Sequence, residues 1–280
     1  MTKPCIGIGY RQALDAWTRK NLNRFDTIEV IVDHCIYGNP ARREGIFNLA
    51  REIPVVAHGI GLSIGTDMPL DLCYLDKIAR TVERLGTTSY SEHLAFTRVP
   101  GRDLMNLMPL PRTTAVAESI VAKVHAIRAV IPVPFLLENI AYVFEWPEAE
   151  MDEVSFLNLV LAESGAGLLL DIENVRINAR NHGFDARGFI DRLPRGSVRQ
   201  VHLAGGAAVT EPFLDTPFLA DSHSHPVSDE ALDLLERVLA QHRPTHIILE
   251  RDTRFSETAE ILADIAGIHS RIATAADIAL

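Results

Sequence analysis

Eight short apolar runs, most of them followed by a segment with helical spacing, constrain what this chain can fold into more than any other feature. The runs are 5–9 (CIGIG), 27–32 (TIEVIV), 53–57 (IPVVA), 89–94 (SYSEHL), 134–138 (PFLLE), 167–172 (GLLLDI), 198–203 (VRQVHL) and 246–250 (HIILE). Their continuous apolar character, without strict alternation, is what parallel strands buried on both faces require. Helical spacing runs through 71–85, 113–130, 151–164, 228–241 and 256–276, and Asp71 and Ser228 carry side chains that cap a helix start. This alternation predicts an α/β fold: a single (β/α)8 TIM barrel with its metal site at the C-terminal face. The 280 residues suit one such domain, 1–280, and no long Gly/Ser/Pro linker divides them. An open doubly wound sheet is the rival. Gly7-Ile8-Gly9 lacks the third glycine of the dinucleotide fingerprint, and no GxxxxGK(S/T) segment occurs.

Metal-ligand residues collect where the runs end. Ala57-His58, Glu92-His93, Leu137-Glu138, Leu170-Asp171, Val201-His202 and Leu249-Glu250 close six of them, and Asp221-Ser222-His223 lies just past a further strand-like segment. A single His or carboxylate in such a place is most simply a hydrogen-bonded or ion-paired residue. Repetition carries the argument, because barrel strands deliver their C-terminal ends to one mouth. The loops 59–70, 97–110, 139–150, 176–187 and 204–227 all follow strands and belong to that face.

The positions differ in what competes with ligation. Strand alternation puts Ser91 and His93 on one face and Glu92 on the other, so either Glu92 or His93 can point inward. His93 is favoured because imidazole suits a first-row metal, with Glu92 a barrel-interior carboxylate. Glu138 ends an apolar run where an unpaired carboxylate is costly, although it can instead turn toward a helix N-terminus. Asp171 ends the run LLLD, and Asn174 returns toward the same mouth as the chain leaves the strand, with Glu173 its competitor. The segment 178–183 (NARNHG) reads as a polar loop in which His182 is a hydrogen-bonding residue. In extended chain Asp221 and His223 face one direction, while His225, before Pro226, stays outside the ligand set. Asp252, beyond Glu250, has a salt bridge to a neighbouring Arg as its simplest role.

Together His58, His93, Glu138, Asp171, Asn174, His202, Asp221, His223 and Glu250 exceed what one ion needs. Two or three metals with a bridging carboxylate such as Glu138 is the natural count. Nitrogen and oxygen ligands without thiolate admit zinc, manganese or iron.

The formal charge of −10 argues against a general polyanion binder, so no nucleic-acid partner is expected. Cys5, Cys35 and Cys73 are scattered, odd in number and free of CxxC spacing, as reduced thiols of a cytoplasmic protein are. The start MTKPCIGIGY lacks a signal-peptide apolar run, and no stretch approaches the roughly 18 apolar residues of a membrane span.

Over nearly its whole length the chain resembles the DUF692 (UPF0276) family, the multinuclear non-heme iron-dependent oxidases typified by the methanobactin-biosynthesis oxidase. The resemblance lies in GIGYR (7–11), HGIGLSIG (58–65), SEHLAF (91–96), LLENIA (136–141), LLLDIENV (168–175), NHGFD (181–185), QVHLAGG (200–206), DSHSHPV (221–227) and LERD (249–252). The wider superfamily holds endonuclease IV-like and xylose isomerase-like barrels. The resemblance implies one metal on His58, His93 and a bridging Glu138, and a second on Glu138, Asp171, His202 and Glu250. A third would take Asn174, Asp221 and His223. The catalytic set would be His58, His93, Glu138, Asp171, His202 and Glu250. The zinc endonucleases carry His where this chain has Asn174. The chain also departs from the family in 28–40 (IEVIVDHCIYGNP), a segment usually more acidic and aromatic, beside the expected substrate pocket at Asp33 and His34.

The resemblance further implies two or three iron ions (Fe2+/Fe3+), with Zn2+ or Mn2+ as alternatives, and use of O2. The substrate would be a residue, Cys foremost, of a ribosomally made precursor peptide, recruited by a partner protein. Competing expectations are a metal-dependent hydrolase or endonuclease, a sugar isomerase or epimerase of the same superfamily, and a non-enzymatic binding module.

Overall fold

Every apolar run forms a strand. In a computed structural model that describes residues 3–210 and 217–278, they are β1 (Cys5–Gly9), β2 (Thr27–Ile31), β3 (Val55–Gly59), β4 (Tyr90–His93), β5 (Phe135–Glu138), β6 (Gly167–Asp171), β7 (Val198–Leu203) and β8 (His246–Leu249). Each hydrogen-bonds to its neighbours in chain order, and β8 returns to β1, so the parallel sheet closes into a barrel. Among the described residues no helix is long and apolar enough to cross a membrane.

The chain forms two compact units, Asp26–Leu169 and Met1–Phe25 with Leu170–Leu280. In Asp26–Leu169 the strands β2 to β5 lie side by side, and their register fixes which side chains meet. His58 stands opposite Ser91, and His93 opposite Glu138. Helix Leu72–Leu85 starts where Asp71 accepts from the Tyr74 amide at 3.0 Å and stops at Gly86, whose φ of +64° is left-handed. It buries Leu75, Ile78, Val82 and Leu85, the apolar face of a 3.6-residue period. Helices Thr114–Val130 and Glu153–Ser164 follow β4 and β5 and bury the same kind of face.

In the other unit β8 lies between β1 and β7, with Ile8 beside Leu249 and His202 beside Ile248. Ile6, Ile8, Val201, Ile247 and Ile248 are fully buried there. Ser228 caps helix Asp229–Gln241 through the Ala231 amide, as its sequence predicts.

Three expected loops contain regular structure. Within 97–110 the chain forms a hairpin, Phe96–Val99 with Arg102–Met108, and within 204–227 a second, Ala207–Val209 with Phe218–Ala220. The segment 176–187 is largely helical. Helix Ile172–His182 starts directly from the strand because Asp171 ends β6 and caps the helix, accepting from the Asn174 amide at 2.7 Å. Polar residues in that helix disguise it: Glu173 and Asn178 are buried, against the usual amphipathic pattern.

Candidate metal centre

In Asp26–Leu169 the last residues of β3, β4 and β5 converge. One ligand atom each of His58, His93 and Glu138 lies within 4.8 Å of the others. His58 Nε2 and His93 Nε2 are both 3.3 Å from the same oxygen, Oε2 of Glu138. Metal bonds of about 2.0–2.2 Å at octahedral to tetrahedral angles put neighbouring ligand atoms about 3.0–3.5 Å apart, so this spacing suits three ligands of one ion. The proton inventory agrees. Ser91 Oγ lies 3.3 Å from the Ala57 carbonyl oxygen and 2.8 Å from His58 Nδ1; with its proton on the carbonyl, its oxygen is open to the Nδ1 proton of His58. That tautomer leaves a lone pair on Nε2, the atom facing Glu138.

Glu92, on the opposite face of β4, is a buried carboxylate with another task. It accepts from the Leu62 amide at 2.6 Å and the His93 amide at 3.2 Å, tying the loop after β3 to the site. Burial, with nearby Asp33 adding repulsion, pushes its pKa up to about 8. Gly59 is required beneath it, since a Cβ there would sit 2.1 Å from the Tyr90 hydroxyl.

The second group belongs to the other unit. Asp171, His202 and Glu250 each offer a buried ligand atom within 4.8 Å of one another. His202 Nδ1 is 3.1 Å from Glu250 Oε2. Glu250 follows β8, two residues past Ile248, the partner of His202, so strand alternation sends both side chains to one face. Arg11 Nη2 pairs with Glu250 Oε1 at 3.0 Å, and Arg11 Nε also holds Asp252. Burial disfavours the Glu250 anion, but His202, His223 and Arg11 outweigh it and hold its pKa well below the usual carboxylate range. Asp171 spends Oδ1 on the helix cap, and Asn174, in the first helical turn, is buried beside it.

Asp221 and His223 are close to each other but not as parallel projections from a strand. They follow a short antiparallel hairpin, and His223 has φ +45°, so the extended arrangement expected for 221–225 does not form. The chain turns instead, and His223 Nε2 comes back to 2.6 Å from Asp221 Oδ1. Its Nδ1 faces Asp252 Oδ2 at 3.1 Å and Glu250 Oε2 at 3.7 Å. Burial opposes a charge on His223, yet Glu250, Asp221 and Asp252 together raise its pKa well above that of a free imidazole.

Two competitors have partners of their own. Glu173 is ion-paired to Arg176 at 2.6 Å and accepts from the Gly206 amide at 2.7 Å. Asp252 pairs with an Arg, though one 241 residues away in the chain and not a neighbour. That partner, Arg11, was not singled out from the sequence, nor was Gln200, whose amide faces His202 Nε2 at 3.3 Å. Gln200 was findable, since it precedes His202 by two positions in one strand. Arg11 carried no such signal, being 239 residues from Glu250 in the chain.

A family model described as "RiPP precursor modification enzyme MbnB/TglH/ChrH" matches residues 5–273. A UPF0276 protein of Bordetella parapertussis is 35% identical over 241 residues, covering 86% of this chain and 83% of that protein. One of Shewanella oneidensis is 30% identical over 271 residues, covering 95% and 93%. Among solved structures, an L-ribulose 3-epimerase aligns over 99% of this chain and 97% of its own at TM-score 0.62 and 18% identity. Endonuclease IV of Thermus thermophilus aligns over 95% and 100% at TM-score 0.56 and 15% identity. At such identities the structural likeness concerns the fold, a barrel shared by epimerases and endonuclease IV.

Proposed function

We propose that this chain, which belongs to the MbnB/TglH/ChrH family of RiPP precursor modification enzymes, is a multinuclear iron-dependent, O2-using oxidase acting on a ribosomally made peptide. The residue modified is Cys foremost, a partner protein delivers the precursor, and the reaction takes place in the cytoplasm. The observation that carries the metal assignment is the convergence of His58 Nε2 and His93 Nε2 on one oxygen of Glu138.

In this reading His58, His93 and Glu138 would hold one metal and Asp171, His202 and Glu250 a second, with Glu138 available to both. Asn174, Asp221 and His223 hold a third. Bound iron supplies the one-electron chemistry with O2 that these side chains lack. The protein supplies position. Ser91, bonded to His58 Nδ1, orients that ring with Nε2 toward the site, and Arg11 holds the Glu250 carboxylate in place. Glu92 pins the loop that covers β3.

The test is purification without oxygen or added metal, followed by metal analysis, Mössbauer spectroscopy and incubation with a short peptide encoded beside the gene. More than one iron per chain, partly ferric, with an O2-dependent change in peptide mass, supports the reading. Zinc alone, with cleavage of DNA at abasic sites, overturns it.

A further inference from the structure

A cavity of about 530 Å³ opens in the unit Asp26–Leu169, and the imidazole of His93 forms part of its wall. Whatever occupies it therefore lies against a residue assigned above to the metal centre. Its lining is acidic: Asp33, Asp71 and Asp103 stand against one cation, Arg98. Asp33 accepts from the Tyr74 hydroxyl and from the Ile60 amide at 3.1 Å. Asp71 accepts from the Tyr74 amide at 3.0 Å, and Asp103 from the Met105 amide at 2.8 Å. These bonds fix the carboxylates without neutralising them. Arg98 donates to the Gly61 carbonyl and makes no ion pair with any of the three among the described residues.

The rim is apolar. Tyr37, Ile60 and Met105 line the cavity and are large apolar side chains left in solvent, Tyr37 64% and Met105 88% exposed. The Tyr37 ring stacks on Tyr74, their centroids 6.0 Å apart, which stiffens one wall. Clustered exposed apolar side chains mark interaction surfaces, and carboxylates in a concave, low-dielectric wall concentrate their field on the occupant.

We propose that this cavity selects a cationic stretch of the peptide substrate, seating a Lys or Arg side chain among Asp33, Asp71 and Asp103 while flanking apolar residues cover Tyr37 and Met105. The inference rests on the peptide-modifying reading and adds to it the charge and polarity of the recognised segment. An acidic peptide is repelled by the same three carboxylates.

Two labelled synthetic peptides test this. They share their apolar residues and differ only in carrying two Lys or two Glu at the same places. Each is titrated into the full-length protein at low ionic strength and followed by fluorescence anisotropy. The Lys peptide is expected to bind at least tenfold more tightly. The double variant Asp71→Asn/Asp103→Asn keeps an acceptor oxygen at both positions and removes two charges. It is expected to weaken Lys-peptide binding about tenfold, the sum of two partly exposed charge interactions. Asp103→Asn alone, in an exposed hairpin, is expected to weaken it about threefold and serves if the double variant folds poorly. Equal binding of the two peptides, or Lys-peptide binding unchanged in a folded variant, overturns the proposal. Failure of the oxidase reading shows instead in metal content and peptide mass, which this titration does not use.

Discussion

His58 and His93 meet edge to face, ring centroids 4.7 Å apart and planes at 72°, with both Nε2 atoms turned to Oε2 of Glu138. The pair follows from register. His58 stands beside Ser91, and His93 lies two residues further on, on the same face of β4 and beside Glu138 on β5. Three adjacent strand ends thus present two imidazole nitrogens and one carboxylate at metal-ligand spacing.

If Glu138 bridges two ions, Glu138→Ala removes more than one equivalent of metal per chain, because each ion loses a ligand it shares. Metal analysis of the anaerobically purified variant checks this. A loss of one equivalent refutes the bridging role while leaving Glu138 a ligand.

Ser91→Ala takes away the hydrogen-bond partner of His58 Nδ1 and frees the ring to rotate or change tautomer. Groups that orient a ligating His typically matter 10- to 100-fold in metal affinity, and about that loss is expected here. Competition against a chelator of known affinity measures it. An unchanged affinity would show that Ser91 does not set the tautomer.

His223 is held between Asp221 and Asp252 on the segment after the second hairpin, apart from any barrel strand. His223→Ala is therefore expected to lower metal content by about one equivalent and to leave the His58 and His93 site loaded. Spectroscopic loss of every iron environment at once would contradict a separate third site.

His242 offers a pH test remote from the proposed ligands. It is buried, and its Nδ1 accepts from the Gly196 amide at 3.2 Å, which requires an unprotonated nitrogen. Burial, with Arg195 adding repulsion, lowers its pKa below the imidazole value of 6.5. A base whose folded pKa lies below its unfolded one contributes fully above the unfolded value and loses that contribution as pH falls through the folded value. The melting temperature should therefore drop as pH is lowered from about 6.5, and His242→Gln should flatten that part of the profile. Parallel profiles for the two proteins would rule His242 out as a cause.

The strands and most of the ligand-type residues that end them were legible because they are local. A run such as LLLD or IILE states its burial and its terminal carboxylate within four or five residues, and β1 and β7 have the expected limits of 5–9 and 198–203. The caps at Asp71 and Ser228 are equally local. Helix Ile172–His182 was hidden because its buried Glu173 and Asn178 break the amphipathic pattern, and Glu173 is held in part by the Gly206 amide, 33 residues away in the chain. Both hairpins were hidden because short antiparallel strands at the surface have no continuous apolar run to reveal them.

By itself, then, the sequence determined the alternation of strands and helices and the ligand types at the strand ends, since both are written in neighbouring residues. Only the tertiary structure decided which of those residues face each other. It set His58 and His93 on one Glu138 oxygen, folded His223 back onto Asp221 against the extended expectation, and brought Arg11 to Glu250 across 239 residues. Those pairings depend on strand register and on a turn at positive φ. Both are settled by the packing of segments far apart in the chain, where local spacing carries no information.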